Sequence, residues 1–195
     1  MSQKKFRIIK PEIRVLGVDD GVFTPESQGF AMVVGVVFRG GHWLDGVMHT
    51  RVKVDGFDAC EKIAAMVLGS PHYKQLRVIM LNGVTFAGFN VVDIKKLNEK
   101  TGLPVIAVTR ERPDFAKIRE ALKNLSRSEE RWKAVQSGGE IFAVQTGKGN
   151  EKVYAQASGI SREDAEKILQ MTSMRSSVPE ALRVAHLVAS GVSCK

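Results

Sequence analysis

The stretch LRVIML, Leu76 to Leu81, constrains the fold of this chain more than any other. A strand that is apolar at nearly every position has no face to turn to water. It belongs in a sheet covered on both sides, as parallel sheets are. Parallel neighbours need crossover segments between them, so a strand of this kind predicts helices before and after it.

The flanking sequence supplies those helices. Upstream, Cys60, Ile63, Ala64 and Val67 fall on one helical face that ends at Gly69. Downstream, a turn at Asn82-Gly83 is followed by a helical stretch to about Lys100 and the strand PVIAVT, Pro104 to Thr109, which completes a strand–helix–strand unit. The first third is different. Ile13 to Asp19 reads as a buried strand, Gly29 to Phe38 as a long Val-rich strand, and Trp43 to Val54 as a third that pairs back after Arg39-Gly40-Gly41. Beyond Thr109, Pro113-Asp114 opens a helix with Phe115, Ile118, Leu122 and Leu125 on one stripe, and Ser126 to Val135 adds another. Two strands, Ile141 to Gln145 and Val153 to Gln156, form a hairpin across Gly147-Lys148-Gly149, which lacks the spacing of a phosphate loop. Helices starting near Ser161 and Pro179 close the chain. The expected fold class is α/β in one domain over residues 1–195: a mixed sheet of three antiparallel N-terminal strands followed by parallel strands, flanked by helices.

No apolar run approaches the roughly 20 residues of a membrane helix, and the basic segment Met1 to Lys10 is followed by no apolar signal region. A cytoplasmic protein with no membrane partner is expected. Cys60 and Cys194 have no Cys/His neighbours at ligand spacing, which argues against a zinc site or a disulfide framework. The formal charge of +8 favours a polyanionic partner, and Lys4, Lys5, Arg7, Lys10 and Arg14 make the N-terminal segment the densest basic patch.

In an open α/β sheet, ligands bind at the carboxyl ends of the strands where the strand order reverses. Here those ends carry Asp19-Asp20 and Leu81-Asn82-Gly83, while Asp55, Asp58 and Glu61 lie at the start of the intervening helix. Carboxylates gathered this way suit a hard cation that shares its coordination with water and a phosphodiester.

The motifs RVLGVDDGVF, VVGVVFRGGHWLDGV, VDGFDA, NGVTFAGFNVVDI, GLPVIAVTRERPD and VPEALRVAHLVASG resemble, in order and spacing, those of the archaeal endonuclease dU family, itself distantly similar to endonuclease V. The resemblance covers essentially the whole chain. It implies a ribonuclease H-like fold and cleavage of damaged or single-stranded DNA, at deaminated bases such as deoxyuridine, with magnesium or manganese as cofactor. Gly17-Val18-Asp19 matches the Gly-Val-Asp that ends the first strand of endonuclease V, which implies a metal ligand at Asp19.

The catalytic candidates are therefore Asp19, Asp20, Asp55, Asp58, Glu61 and Asn82, with Asp19, Asp58 and Asn82 as metal ligands. Strand alternation puts Asp20 on the opposite face from Asp19. Asp58 and Glu61 equally fit a helix N-cap and capping box, and Asp55 equally fits a turn. Asn82 is a departure, since the resembled families place an Asp-Gly at this strand end. A carboxamide brings no negative charge, so either another acid such as Asp93 or Asp45 compensates, or the fold has kept nucleic-acid binding and lost catalysis. A binder of a small phosphorylated ligand is the third alternative. The comparable stretch QASGISRED lacks the Gly-His of endonuclease V, and TRVKVDGF lacks its base-prying wedge. The loop residues Gly83, Thr85, Phe86, Gly88 and Asn90 suit phosphate or a flipped base, on which Phe86 and Phe89 could stack, and either ring equally fits a plug in the core. Arg183 fits either a phosphate contact or a structural ion pair. His186, four residues after Leu182 on an apolar face, reads as a buried core histidine.

Overall fold

The computed structural model describes residue 6 and residues 8–24, 29–146 and 151–193. Lys4, Lys5 and Arg7 of the basic N-terminal segment, Gly147-Lys148-Gly149 and Cys194 lie outside the described residues.

Three strands open the chain: β1 (Arg14–Asp20), β2 (Phe30–Arg39) and β3 (Trp43–Lys53). Their antiparallel pairing sets Asp19 opposite Val34, and Val34 opposite His49. Helix α1 (Ala59–Leu68) crosses to β4 (Val78–Asn82), which pairs parallel with β1 in the register Val15 to Val78 through Val18 to Leu81. A two-stranded hairpin, β5 (Thr85–Phe86) and β6 (Asn90–Val91), then precedes α2 (Ile94–Thr101) and β7 (Val105–Thr109). Sequence reading placed helix over this hairpin, because two-residue strands are too short to show a period. The remaining elements are α3 (Phe115–Leu122), α4 (Ser128–Gln136), β8 (Phe142–Gln145), β9 (Lys152–Ser158), α5 (Arg162–Thr172) and α6 (Glu180–Ser193). The resulting seven-stranded mixed sheet runs β3-β2-β1-β4-β7-β9-β8.

The near-continuous apolar character of β4 is spent on two cores. Val78 and Met80 join Val15, Val34, Ile106 and Val108 under α5 and α6. Ile79 and Leu81 join Leu16, Val18, Val105 and Ala107 under α1 and α2. Helix starts follow local chemistry: Asp93 accepts from the amides of Lys95 and Lys96, and Asp114 from those of Ala116 and Lys117. Asp93 is thus a cap. Asp45 is held between Arg14 and Arg39, so neither acid supplements the strand ends. Among the described residues no helix is long and apolar enough to cross a membrane.

One contact governs where the last helix lies. A Cβ at Gly17 would overlap the backbone of Ala181 and Leu182, and one at Gly21 would overlap Ser193 and the carbonyl of Ala189. Helix α6 therefore lies directly on β1 and parallel to it, with Ala181, Ala185 and Ala189 fully buried beneath. Overpacking a contact of this kind costs about 1–3 kcal/mol. We expect Gly17→Ala to lower the urea unfolding free energy by that amount, and unchanged stability would show that α6 does not seat on β1 this closely.

Candidate functional site

The parallel register continues one residue past Val18 and Leu81, and so brings Asp19 and Asn82 side by side at the carboxyl ends of β1 and β4. Residues level with each other on parallel strands share a face. Asn82 Nδ2 donates to Asp19 Oδ2 at 3.0 Å. On that face α6 carries His186, whose Nδ1 stands 2.9 Å from the same oxygen. The third partner of Asp19 is the Asp20 amide, 2.9 Å from Oδ1.

Asp19 is 2 % exposed, whereas the His186 side chain is 60 % exposed. The core-histidine expectation for His186 is therefore wrong. Its neighbours Leu182, Ala185 and Ala189 are buried, but the ring itself reaches the Asp19 carboxylate and lies open to solvent. An ionised carboxylate only accepts, so Nδ1 carries the proton in this pair and Nε2 is left towards solvent.

Burial pushes the Asp19 carboxyl from 3.8 up to about 6, and the charge of Asp20 adds to the rise, while the hydrogen bonds from Asn82, Asp20 and His186 oppose it. Asp20 is raised as well, chiefly by burial. Its carboxylate accepts from the Ala87 amide at 2.7 Å, which fastens the turn between β5 and β6 to the end of β1.

Three other acidic candidates are elsewhere. Asp58 occupies the N-cap position of α1 but makes no cap hydrogen bond. Its Oδ1 instead accepts from the Lys53 amide and from Asn90 Nδ2. The capping box is absent, and Glu61 pairs with Lys100 and Lys96. Asp55 sits at φ 51 and accepts from the Phe89 amide at 2.8 Å. Asp55 and Asp58 brace the hairpin, Glu61 ties α1 to α2, and none of the three bonds to Asp19.

Most of the loop candidates are bracing too. Phe86 is completely buried and has no face for a base. Asn90, also fully buried, ties the Ala59 amide to the Lys53 carbonyl and Asp58. Gly88 leaves room for the Asp55 carboxylate. Arg183 closes a two-nitrogen ion pair on buried Glu180. Arg131, which sequence reading passed over, buries its guanidinium against the carbonyls of Asp55, Gly56, Ser126 and Phe89. It locks the turn before α1 to the β5–β6 hairpin. Only an isolated Arg in a helix with buried Val135 hinted at it.

Gly83 and Thr85 border a cavity of about 400 Å³ on the opposite face of the sheet, between β7, β9 and α3. Phe115, Ile118, Val135 and Tyr154 give it apolar walls. The cavity begins one residue past Asn82, at Gly83.

A family model described as endonuclease dU matches residues 11–193. The chain belongs to the endonuclease dU family. A UPF0215 protein of the archaeon Methanothermobacter thermautotrophicus is 53% identical over 194 residues, covering 99% of this chain and 94% of that protein. Among solved structures, a protein of unknown function from Archaeoglobus fulgidus is 36% identical with a TM-score of 0.82, over 92% of this chain and 97% of that one. Endonuclease V of Bacillus subtilis shares the fold at 12% identity and a TM-score of 0.67, over 98% and 85%. Ciona intestinalis endonuclease V, solved with a 24mer DNA containing inosine followed by a ribo-adenosine, does so at 15% identity and a TM-score of 0.56, over 88% and 82%. The ribonuclease H-like fold that the family resemblance implies is the fold of these neighbours.

The charged state of Asp19 is disfavoured in the folded protein. Its folded carboxyl, at about 6, binds protons that the unfolded one, at 3.8, has released. Stability from this group is thus greatest near pH 4 and declines as pH rises to about 6, by at most about 1.4 kcal/mol per unit. Asp19→Asn should raise the unfolding free energy by about 1–3 kcal/mol at pH 7, with the gain vanishing near pH 4. A variant destabilised equally at both pH values would contradict this balance.

Proposed function

We propose that the protein is an endonuclease that cleaves DNA at or near deaminated bases such as deoxyuridine, with a divalent cation held at the Asp19 cluster. The observation that carries this reading is the buried Asp19 carboxylate, raised to about 6 beside a second acid at the meeting point of β1, β4 and α6. A structure keeps such a destabilised charge where function needs it.

The donor set fits a hard cation. Among the described residues no three His, Cys, Asp or Glu side chains are placed to enclose a metal ion. Magnesium needs no such cage, because one or two carboxylates plus water and substrate phosphate hold it. Asp19 and Asp20 supply that number, and the Asn82 carboxamide oxygen is a neutral third donor. A positive ion would also remove the repulsion that raises both acids. When bound, such a cation neutralises the developing charge on the phosphodiester oxygens.

The chain's own groups divide the remaining work. Asp19 holds the Nδ1–H tautomer of His186, which leaves Nε2 to take a proton from water or return one to a departing oxygen. Asn82 fixes the Asp19 carboxylate in plane with β4. Ala87, through its amide, holds Asp20 to the turn between β5 and β6.

A second reading is favoured by one observation: Asp19 Oδ2 already receives donors from both Asn82 and His186, so its charge is compensated without a cation. On that reading the fold binds nucleic acid and has lost catalysis with the acid that Asn82 replaces. Oligonucleotides carrying deoxyuridine, deoxyinosine or no lesion, incubated with and without magnesium or manganese, distinguish the two. We expect metal-dependent cutting next to the lesion, lowered at least about 100-fold in Asp19→Ala and His186→Ala. Cutting by Asn82→Asp alone, with wild type only binding, would establish the second reading, and cutting indifferent to metal or to Asp19→Ala would overturn the first.

A further inference from the structure

The cavity beside Gly83 has one polar group deep in its wall. Gln156 on β9 stands opposite Ala107 on β7, whose small side chain leaves the space above the sheet open. Gln156 is 5 % exposed, and it lines the cavity. Its Nε2 donates to the Gly139 carbonyl at 3.0 Å. A Cβ at Gly138 would come within 2.9 Å of Gln156 Cβ and 3.0 Å of Cδ, so the chain there packs against the length of the side chain. These contacts hold the carboxamide in one orientation and assign its two ends. Nitrogen faces Gly139, and Oε1 accepts from no donor among the described residues while remaining open to solvent.

The cavity also carries Thr109, Glu111, Arg112, Asp114 and Lys117 on its lining, but Gln156 is buried among its walls, and a fixed buried acceptor can read one chemical difference with particular force. Deamination converts a ring nitrogen that accepts, N3 of cytosine or N1 of adenine, into one that donates. Against Oε1 the deaminated base makes a hydrogen bond, whereas its parent turns a lone pair towards a lone pair. A site with a buried polar group rejects analogues that leave it unpaired far better than an apolar pocket rejects a change of size.

We propose that Gln156 is the specificity-determining residue of this cavity, accepting the ring N–H that deamination creates on a base turned in past Gly83. The inference rests on the nuclease reading for the nature of its ligand but needs no cleavage. Asp19 and its partners lie on the other face of the sheet, so reading the base and acting on the phosphodiester are separable.

The test is equilibrium binding of the full chain, without added metal, to single strands that differ at one central base: deoxyuridine, N3-methyl-deoxyuridine or deoxycytidine. Fluorescence anisotropy should show the deoxyuridine strand bound at least about tenfold more tightly than either of the others. The methylated base makes this a test on the unaltered protein. Gln156→Leu should bring the three strands within about twofold of one another, with β7–β9 amide protection retained. Equal binding of all three by wild type, a preference that survives Gln156→Leu, or no binding of the deoxyuridine strand would each overturn the proposal. The nuclease reading fails separately: preferential binding with no cutting under any metal sinks that reading and leaves this one standing. Metal-dependent cutting at deoxyuridine with equal binding does the reverse.

Discussion

Parallel pairing of β1 with β4 is the interaction from which the rest of this structure follows. It demands cover on both faces, and the alternate residues of β4 supply one core under α5 and α6 and another under α1 and α2. It also fixes the site. Two strands in parallel register end level with each other, so the residues just past Val18 and Leu81 become lateral neighbours whatever their chemistry. Here they are an aspartate and an asparagine. The glycines of β1 then let α6 descend onto the strand, which carries an imidazole to the same oxygen.

The cluster is held against its own electrostatics. Three hydrogen bonds oppose the penalty on Asp19 without cancelling it, and half-buried Asp20 is held beside it by a hydrogen bond that the Ala87 amide donates. Bracing groups lie one layer out. Arg131, Asp55, Asp58 and Asn90 join the turn before α1 to the β5–β6 hairpin. The hairpin in turn presents Ala87 to Asp20 and Thr85 to the cavity, and Gly83 borders the cavity from the loop before it. Rigid backing of this kind is what a site needs when a displacement of an ångström lowers activity substantially.

Sheet order was legible in the sequence because each strand and helix carries its own period, and the strand-end position of Asp19 and Asn82 followed from that order. What escaped depends on contacts between distant segments. Asp58 and Glu61 look like a capping box, but the buried amide of Asn90, brought in by a hairpin with no readable period, claims Asp58 first. Phe86 looks like a stacking residue until the same hairpin turns it into the core. His186 shares its helical face with Leu182, and only the placement of α6 along β1 shows that its ring reaches the Asp19 carboxylate and stays open to solvent. Gln156 sits at an ordinary inward position of β9, and its isolation becomes visible only once Ala107 is opposite it.

The central claim, that Asp19, Asn82 and His186 form one cation-receiving cleft, is tested most directly by manganese in solution. Titrating the ¹⁵N-labelled protein with this paramagnetic ion should broaden first the Asn82 side-chain amide, the His186 ring and the backbone amides of Asp20 and Ala87, and Asp19→Asn should abolish that selectivity. Broadening centred on Asp55, Asp58 or Glu61, or none that distinguishes the cleft from the rest of the surface, would contradict the account.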